Sequence, residues 1–114
     1  MSTTKEIGDF YEEKAVKHYL KKGHQLLTRN FRYKKSEIDF ITRKNTVVYF
    51  VEVKYRKSSE FGSPEEMVSN NQQKRIMDAA EEYILLHNID EQIQFDVVSI
   101  SNDNQVIIFE DAFS

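Results

Sequence analysis

The spacing of apolar positions changes along the 114-residue chain. Ile7, Tyr11, Ala15 and Tyr19 recur every four residues, and Phe10, Val16 and Leu20 widen the stripe, which predicts an amphipathic helix. Thr3 with Glu6 makes a capping box before it. Lys21-Lys22-Gly23 closes it, with cations in the last turn and glycine at the left-handed position. The period then drops to two. His24 to Thr28 reads as a short strand. Ser36-Glu37-Ile38-Asp39-Phe40-Ile41 alternates acid and apolar residues, placing Glu37 and Asp39 on one face and Ile38 and Phe40 on the other. Val47 to Lys54 is the most apolar run, β-branched and aromatic, and is the predicted central strand. Arg43-Lys44-Asn45-Thr46 joins these two strands as an antiparallel hairpin. A turn centred on Asn45-Thr46 makes facing residue numbers sum to 91, which sets Asp39 opposite Glu52.

Tyr55 to Glu66, with the only proline at Pro64, reads as a loop. Ser69 and Gln72 open a second helix, carried by Ile76, Ala79, Ala80, Tyr83, Ile84 and His87 to about Asn88. Gln94 to Ile100 and Val106 to Phe109 are the last strands, and Glu110 to Ser114 is expected to fray. The step from strand 47–54 through the helix to strand 94–100 predicts a right-handed parallel crossover. The expectation is one α/β domain over residues 1–114: a mixed five-stranded sheet flanked by two main helices, in the order αβββαββ.

Composition narrows the chemistry. No cysteine is present, which excludes a disulfide framework and Cys-based zinc sites. His18, His24 and His87 lack zinc-type spacing. No glycine-rich phosphate loop, nucleophile elbow or dinucleotide fingerprint occurs. The N-terminus has no apolar leader and no run approaches membrane-spanning length, so a cytoplasmic protein without membrane contact is expected. The net charge of −3 is unevenly spread: +1 over residues 1–28, +6 over 29–57 and −10 over 58–114. A basic middle in an acidic chain suits a polyanion on one side, but on charge alone solvation of loops is the better explanation. Within it, Arg29-Asn30-Phe31-Arg32-Tyr33-Lys34-Lys35 interleaves cations and aromatics, making Arg32 and Lys34 candidates for nucleic-acid contact, although an ordinary half-buried edge has the same pattern.

The chemistry concentrates on the hairpin. Glu52 and Lys54 share the face of Val48 and Phe50, and charges on a core strand are costly unless paired or ligated. Asp39 opposite Glu52 adds like-charge repulsion, which a cation would remove. Mg²⁺ takes a few carboxylate oxygens and leaves positions for water and phosphate, and the Val53 carbonyl adds a further oxygen. A lysine beside such an ion can orient an attacking water and neutralise charge on a phosphorane. The competing reading is an ion pair of Lys54 with Asp39 or Glu52 that braces the sheet. Glu12, at the edge of the first helix's apolar face, has no surface partner of the kind Glu13 finds in Lys17.

Five stretches carry a resemblance. Gly8 with Glu12-Glu13-Lys14-Ala15, Ser36 to Ile41, Phe50-Val51-Glu52-Val53-Lys54-Tyr55-Arg56, Phe61-Gly62-Ser63-Pro64 and Phe95-Asp96-Val97-Val98 occur in that order. Together they resemble the YraN-type family of small bacterial proteins. Through it they resemble the PD-(D/E)xK, restriction-endonuclease-like superfamily that includes archaeal Holliday-junction resolvases. The resemblance implies a restriction-endonuclease-like core and a nuclease acting on DNA, on branched or processed intermediates, with Mg²⁺ or Mn²⁺. It implies Asp39 and Glu52 as metal-binding acids, Lys54 as the catalytic lysine and Glu12 as a helix-borne acid. Arg56 and Lys74 would contact phosphate, and a homodimer is implied by the resolvase relatives. Ile38 stands where proline is common in the superfamily. Ser36 and Tyr11 stand where the family has glycine, and Gln94 where it has arginine. A non-catalytic nucleic-acid-binding module and a protein-interaction domain using the acidic C-terminal half are the alternative readings.

Overall fold

The computed structural model describes residues 3–56 and 64–114. Helix α1 runs Thr4–Lys21, followed by strands β1 (Gln25–Tyr33), β2 (Ser36–Lys44) and β3 (Val47–Arg56). A four-residue helix α2 (Pro64–Met67), helix α3 (Asn70–His87) and strands β4 (Gln92–Ser101) and β5 (Val106–Phe109) complete it. The predicted order of two main helices and five strands holds, with α2 added where a loop was expected. The other residues of that loop, 57–63, lie outside the described residues, except that Tyr55 and Arg56 belong to β3.

Both helix starts form as their sequences dictate. Thr3 and Ser69 are extended, and their hydroxyls accept from the N–H groups of Glu6 and Gln72. Gly23 follows α1 at φ +92°, and Asn88 ends α3 in the left-handed region. The first strand is longer than expected and runs through the cation–aromatic stretch, because Lys34 with φ +56° makes a tight turn that pairs Tyr33 with Ser36.

The sheet order is β1-β2-β3-β4-β5, antiparallel except for the parallel pair β3–β4. Each face carries one of the two main helices. On one side Ala15, Val16 and Tyr19 of α1 pack on Phe40, Val51, Val98 and Ile100. On the other, Ile76, Ala79, Ala80 and Tyr83 of α3 pack on Ile41, Val48, Phe50 and Val97. Phe50 and Phe95 stack at 5.5 Å beneath the edge of Tyr83. Burying side chains of this size contributes about 1.5–3 kcal/mol each, which fixes the register of the central strand. These are the layers and strand order of a restriction-endonuclease-like core.

Two expectations need correction. The tail does not fray: the Ala112 N–H donates to the Phe95 carbonyl at 2.7 Å, and Phe113 stacks on Phe95 at 5.0 Å. An aromatic residue at position 113 gives the tail enough apolar surface to dock on the open side of β4. The regular alternation of β2 also fails. Phe40 faces α1, yet Ile38 joins the cluster under α3. The cause is a coil in the β1–β2 ribbon at Asn30, whose φ of +53° lies within β1 between the paired residues Arg29–Phe40 and Phe31–Ile38. Asparagine tolerates this conformation better than other non-glycine residues.

Candidate active site

The site lies where the β2–β3 ladder ends, beside the irregular ribbon at Asn30. The β2–β3 ladder is regular from Lys44–Val47 to Phe40–Val51, the register in which facing numbers sum to 91. The next step brings Asp39 to Glu52. There the strands part, and the Asp39 carboxylate accepts the Val53 N–H at 2.7 Å in place of a backbone carbonyl. The N–H and C=O of one strand residue point to the same edge, so the Val53 carbonyl also faces the fork.

Asp39 stands between two cavities. One, about 470 Å³, opens on the α1 side and is lined by Glu12, Asn30, Arg32, Glu37, Asp39, Val53 and Tyr55, among others. The second, about 210 Å³, opens on the α3 side and includes Lys35, Glu37, Asp39, Glu52, Gln72 and Arg75. Glu52 is only 8% exposed. Lys54, on the same face two residues on, donates to Gln72 Oε1 at 3.3 Å. The amide thus holds the ammonium without neutralising it.

Three carboxyls here are less acidic than usual. Glu52 is pushed up to about 9, first by burial and then by the charge of Asp39; Lys54 opposes the shift. Asp39 is also raised, by burial, against the hydrogen bonds from Glu52 and Val53. A protonated Glu52 donating to an ionised Asp39 satisfies both, so the pair retains a proton at neutral pH. Glu12 is raised to about 7 by burial and by Asp39, while Asn30 Nδ2, at 3.2 and 3.4 Å from its oxygens, lowers it. Among the described residues no three acidic or histidine side chains converge tightly enough to cage an ion by themselves.

The sequence-predicted residues divide clearly. Asp39, Glu52 and Lys54 come together, and Glu12 approaches Asp39 from the opposite face of the sheet. Arg32 lines the Glu12 cavity, 3.8 Å from Glu37. Lys34 lies instead on a hollow with Asp78, Glu81 and Glu82. Arg56 turns back on the Tyr55 carbonyl, and Lys74 is exposed on α3 and lines neither acid cavity. Three further residues belong to the site. Gln72, whose sequence position suggests a cap and the start of the apolar stripe, turns its side chain to Lys54. Arg75 belongs to the polar half of the α3 pattern. Asn30 carried a signal, an asparagine inside a strand, and it both coils β1 and holds Glu12.

Sheet, helices and forked hairpin define a small α/β protein with a restriction-endonuclease-like core and an acidic site at the β2–β3 fork. Residues 11–100 match the model of the Uncharacterised protein family UPF0102, and the chain belongs to that family, the YraN-type family that its motifs resemble. A UPF0102 protein of Flavobacterium psychrophilum is 34% identical over 116 residues, covering 99% of this chain and 98% of its own. One from Clostridioides difficile is 42% identical over 97 residues, covering 84% and 85%. One from Shewanella amazonensis is 41% identical over 106 residues, covering 93% and 97%. No helix among the described residues is long and apolar enough to cross a membrane.

Proposed function

We propose that the protein is a Mg²⁺- or Mn²⁺-dependent nuclease that hydrolyses DNA phosphodiesters. The observation that supports this best is the pairing of half-buried Asp39 with buried Glu52 at the β2–β3 fork, with Lys54 beside them. Two adjoining carboxyls must share a proton to coexist here, and a ligand that supplies positive charge would let both ionise. The donor set fits a hard divalent ion: carboxylate oxygens of Asp39 and Glu52 and the Val53 carbonyl, with room for water and phosphate oxygens. The ion would supply Lewis-acid polarisation of the phosphate and a more acidic water.

The side chains divide the remaining work. Lys54, steadied by Gln72, orients the attacking water and offsets charge as the phosphorus becomes pentavalent. Arg75 and Lys35 on the α3 side, and Arg32 on the α1 side, provide cations for flanking phosphates. Glu12, raised to about 7, is suited to take up or release a proton near neutrality.

The test is a cleavage assay in Mg²⁺ or Mn²⁺ on plasmid, single-stranded and four-way-junction DNA, with folded Asp39→Asn and Lys54→Ala variants in parallel. Cutting by wild type that both variants lose by at least about a hundredfold is expected. A folded wild type that cuts nothing, or variants that cut as well, would refute the nuclease reading. Salt-sensitive DNA binding without cutting would favour a non-catalytic binding module.

A further inference from the structure

The N-terminal half of α1 presents a second aromatic feature beside the acid cavity. Phe10 is 55% and Ile7 39% exposed. With Glu6, Tyr11 and Tyr55 they line a hollow of about 450 Å³. Tyr11 and Tyr55 stack at 4.5 Å with planes 25° apart, and Phe10 meets Tyr11 edge-on at 5.2 Å. These two tyrosines also wall the cavity that contains Glu12 and Asp39, so hollow and cavity adjoin through one pair of rings.

Cations flank the rings. Lys14 Nζ lies 5.5 Å from the Phe10 centroid, and Lys5 lines the cavity. Lys5 pairs with Asp9, and Glu6 accepts from the Thr3 hydroxyl, which leaves Lys14 as the amine against the Phe10 ring. Gly8 adds depth. Glycine is disfavoured inside a helix, yet a Cβ here would meet nothing within 4 Å, so packing does not require it. Its missing side chain leaves the cavity open one turn before Glu12.

An exposed phenyl ring beside a tyrosine pair, bordered by amines and opening into an acid cavity, suits a flat π-faced group on an anionic backbone. We propose that the hollow around Phe10 is a stacking subsite for one unpaired nucleobase adjoining the phosphodiester at Asp39. This rests on the nuclease reading and adds a substrate class: DNA with an unstacked nucleotide beside the cut, as in single strands, frayed ends and branches. In continuous duplex both faces of every base are covered, and a base reaches such a hollow only by leaving the stack.

The test measures binding without cleavage. A short fluorescein-labelled single strand is titrated with wild type and with Phe10→Ala, with Ca²⁺ in place of Mg²⁺. The strand is intact or carries one abasic nucleotide, moved through each position in turn. Phe10 is exposed, so its truncation leaves the fold intact, which circular dichroism checks. Removing the base at one position is expected to weaken wild-type binding about tenfold, the loss of one stacking contact. Phe10→Ala is expected to lose about tenfold on the intact strand and to be indifferent to base removal. Equal binding by both proteins, additive losses, or no binding of any strand would overturn the subsite. Plasmid cutting by wild type in Mg²⁺ judges the nuclease reading separately. Cutting without base coupling removes the subsite alone, and coupling without cutting leaves the subsite in a binding module.

Discussion

Replacing Glu52 by glutamine removes a proton that the folded protein must hold against its release in the unfolded chain. The buried carboxyl titrates near 9 in the native state against an ordinary 4.5. Its native pKa lies above its unfolded one, so its contribution to stability is fully present below about 4.5 and is lost as the pH rises toward 9. At pH 7 the folded state keeps the proton that the unfolded chain has released. The distance of roughly 2.5 pH units above 4.5, at 1.36 kcal/mol each, amounts to about 3 kcal/mol. Glutamine has nearly the same shape, its amide can donate to Asp39 as the protonated acid does, and it has no proton to lose. Glu52→Gln is therefore expected to match wild type within about 1 kcal/mol at pH 5 and to exceed it by about 3 kcal/mol at pH 7. Urea unfolding followed by circular dichroism at both pH values measures the difference. Millimolar Mg²⁺ is expected to narrow the gap at pH 7 by stabilising wild type alone. A variant less stable than wild type at pH 7, or a gap that does not change with pH, would refute the reasoning.

Other perturbations separate the parts of the molecule. Tyr19→Phe removes the 2.6 Å hydrogen bond to the buried Asp96 and should cost about 1–3 kcal/mol in urea unfolding. Phe113→Ala strips the tail from Phe95 and should cost about 1–2 kcal/mol, with earlier proteolysis of the last residues as a second readout. Gly8→Ala should raise stability by up to about 1 kcal/mol, since the methyl meets nothing, while weakening DNA binding in an anisotropy titration. Arg75→Ala should weaken DNA binding and lower its salt dependence by about one counterion, whereas Lys74→Ala, outside both acid cavities, should leave that slope unchanged.

The hairpin shows what local pattern can and cannot reveal. Asn45-Thr46 and the apolar runs beside it fixed the β2–β3 register, because a shift of one residue would turn Val48 and Phe50 out of the core. Asp39 opposite Glu52 was therefore legible in advance. The fork was not. Beside it Asn30, on another strand, takes a left-handed conformation that alternation patterns assume away. The consequences reached Ile38, which changed face, and Glu12, whose partner is Asn30. The tail was misjudged for a related reason. Glu110 to Ser114 has no periodicity of its own, and only the position of Phe95 on β4 gives Phe113 a ring to stack on. Arg75 sits on the polar side of a helix pattern, where periodicity says only that a residue is outside the core, and Gln72 stands one turn before Ile76 at the head of the apolar stripe, where a cap explains it fully.

The bond from the Val53 amide to Asp39 makes one proton a natural sensor. From Val47 to Val51 strand β3 is paired with the backbone of β2, but this N–H is held by a carboxylate that itself belongs to the acid pair. Its resonance in an NMR spectrum, and its exchange with deuterium, should respond to anything that draws electron density from Asp39: a proton, an ion or a substituted neighbour. Occupancy of the acid pair can thus be followed at a single backbone position, in the intact protein and without any substrate being turned over.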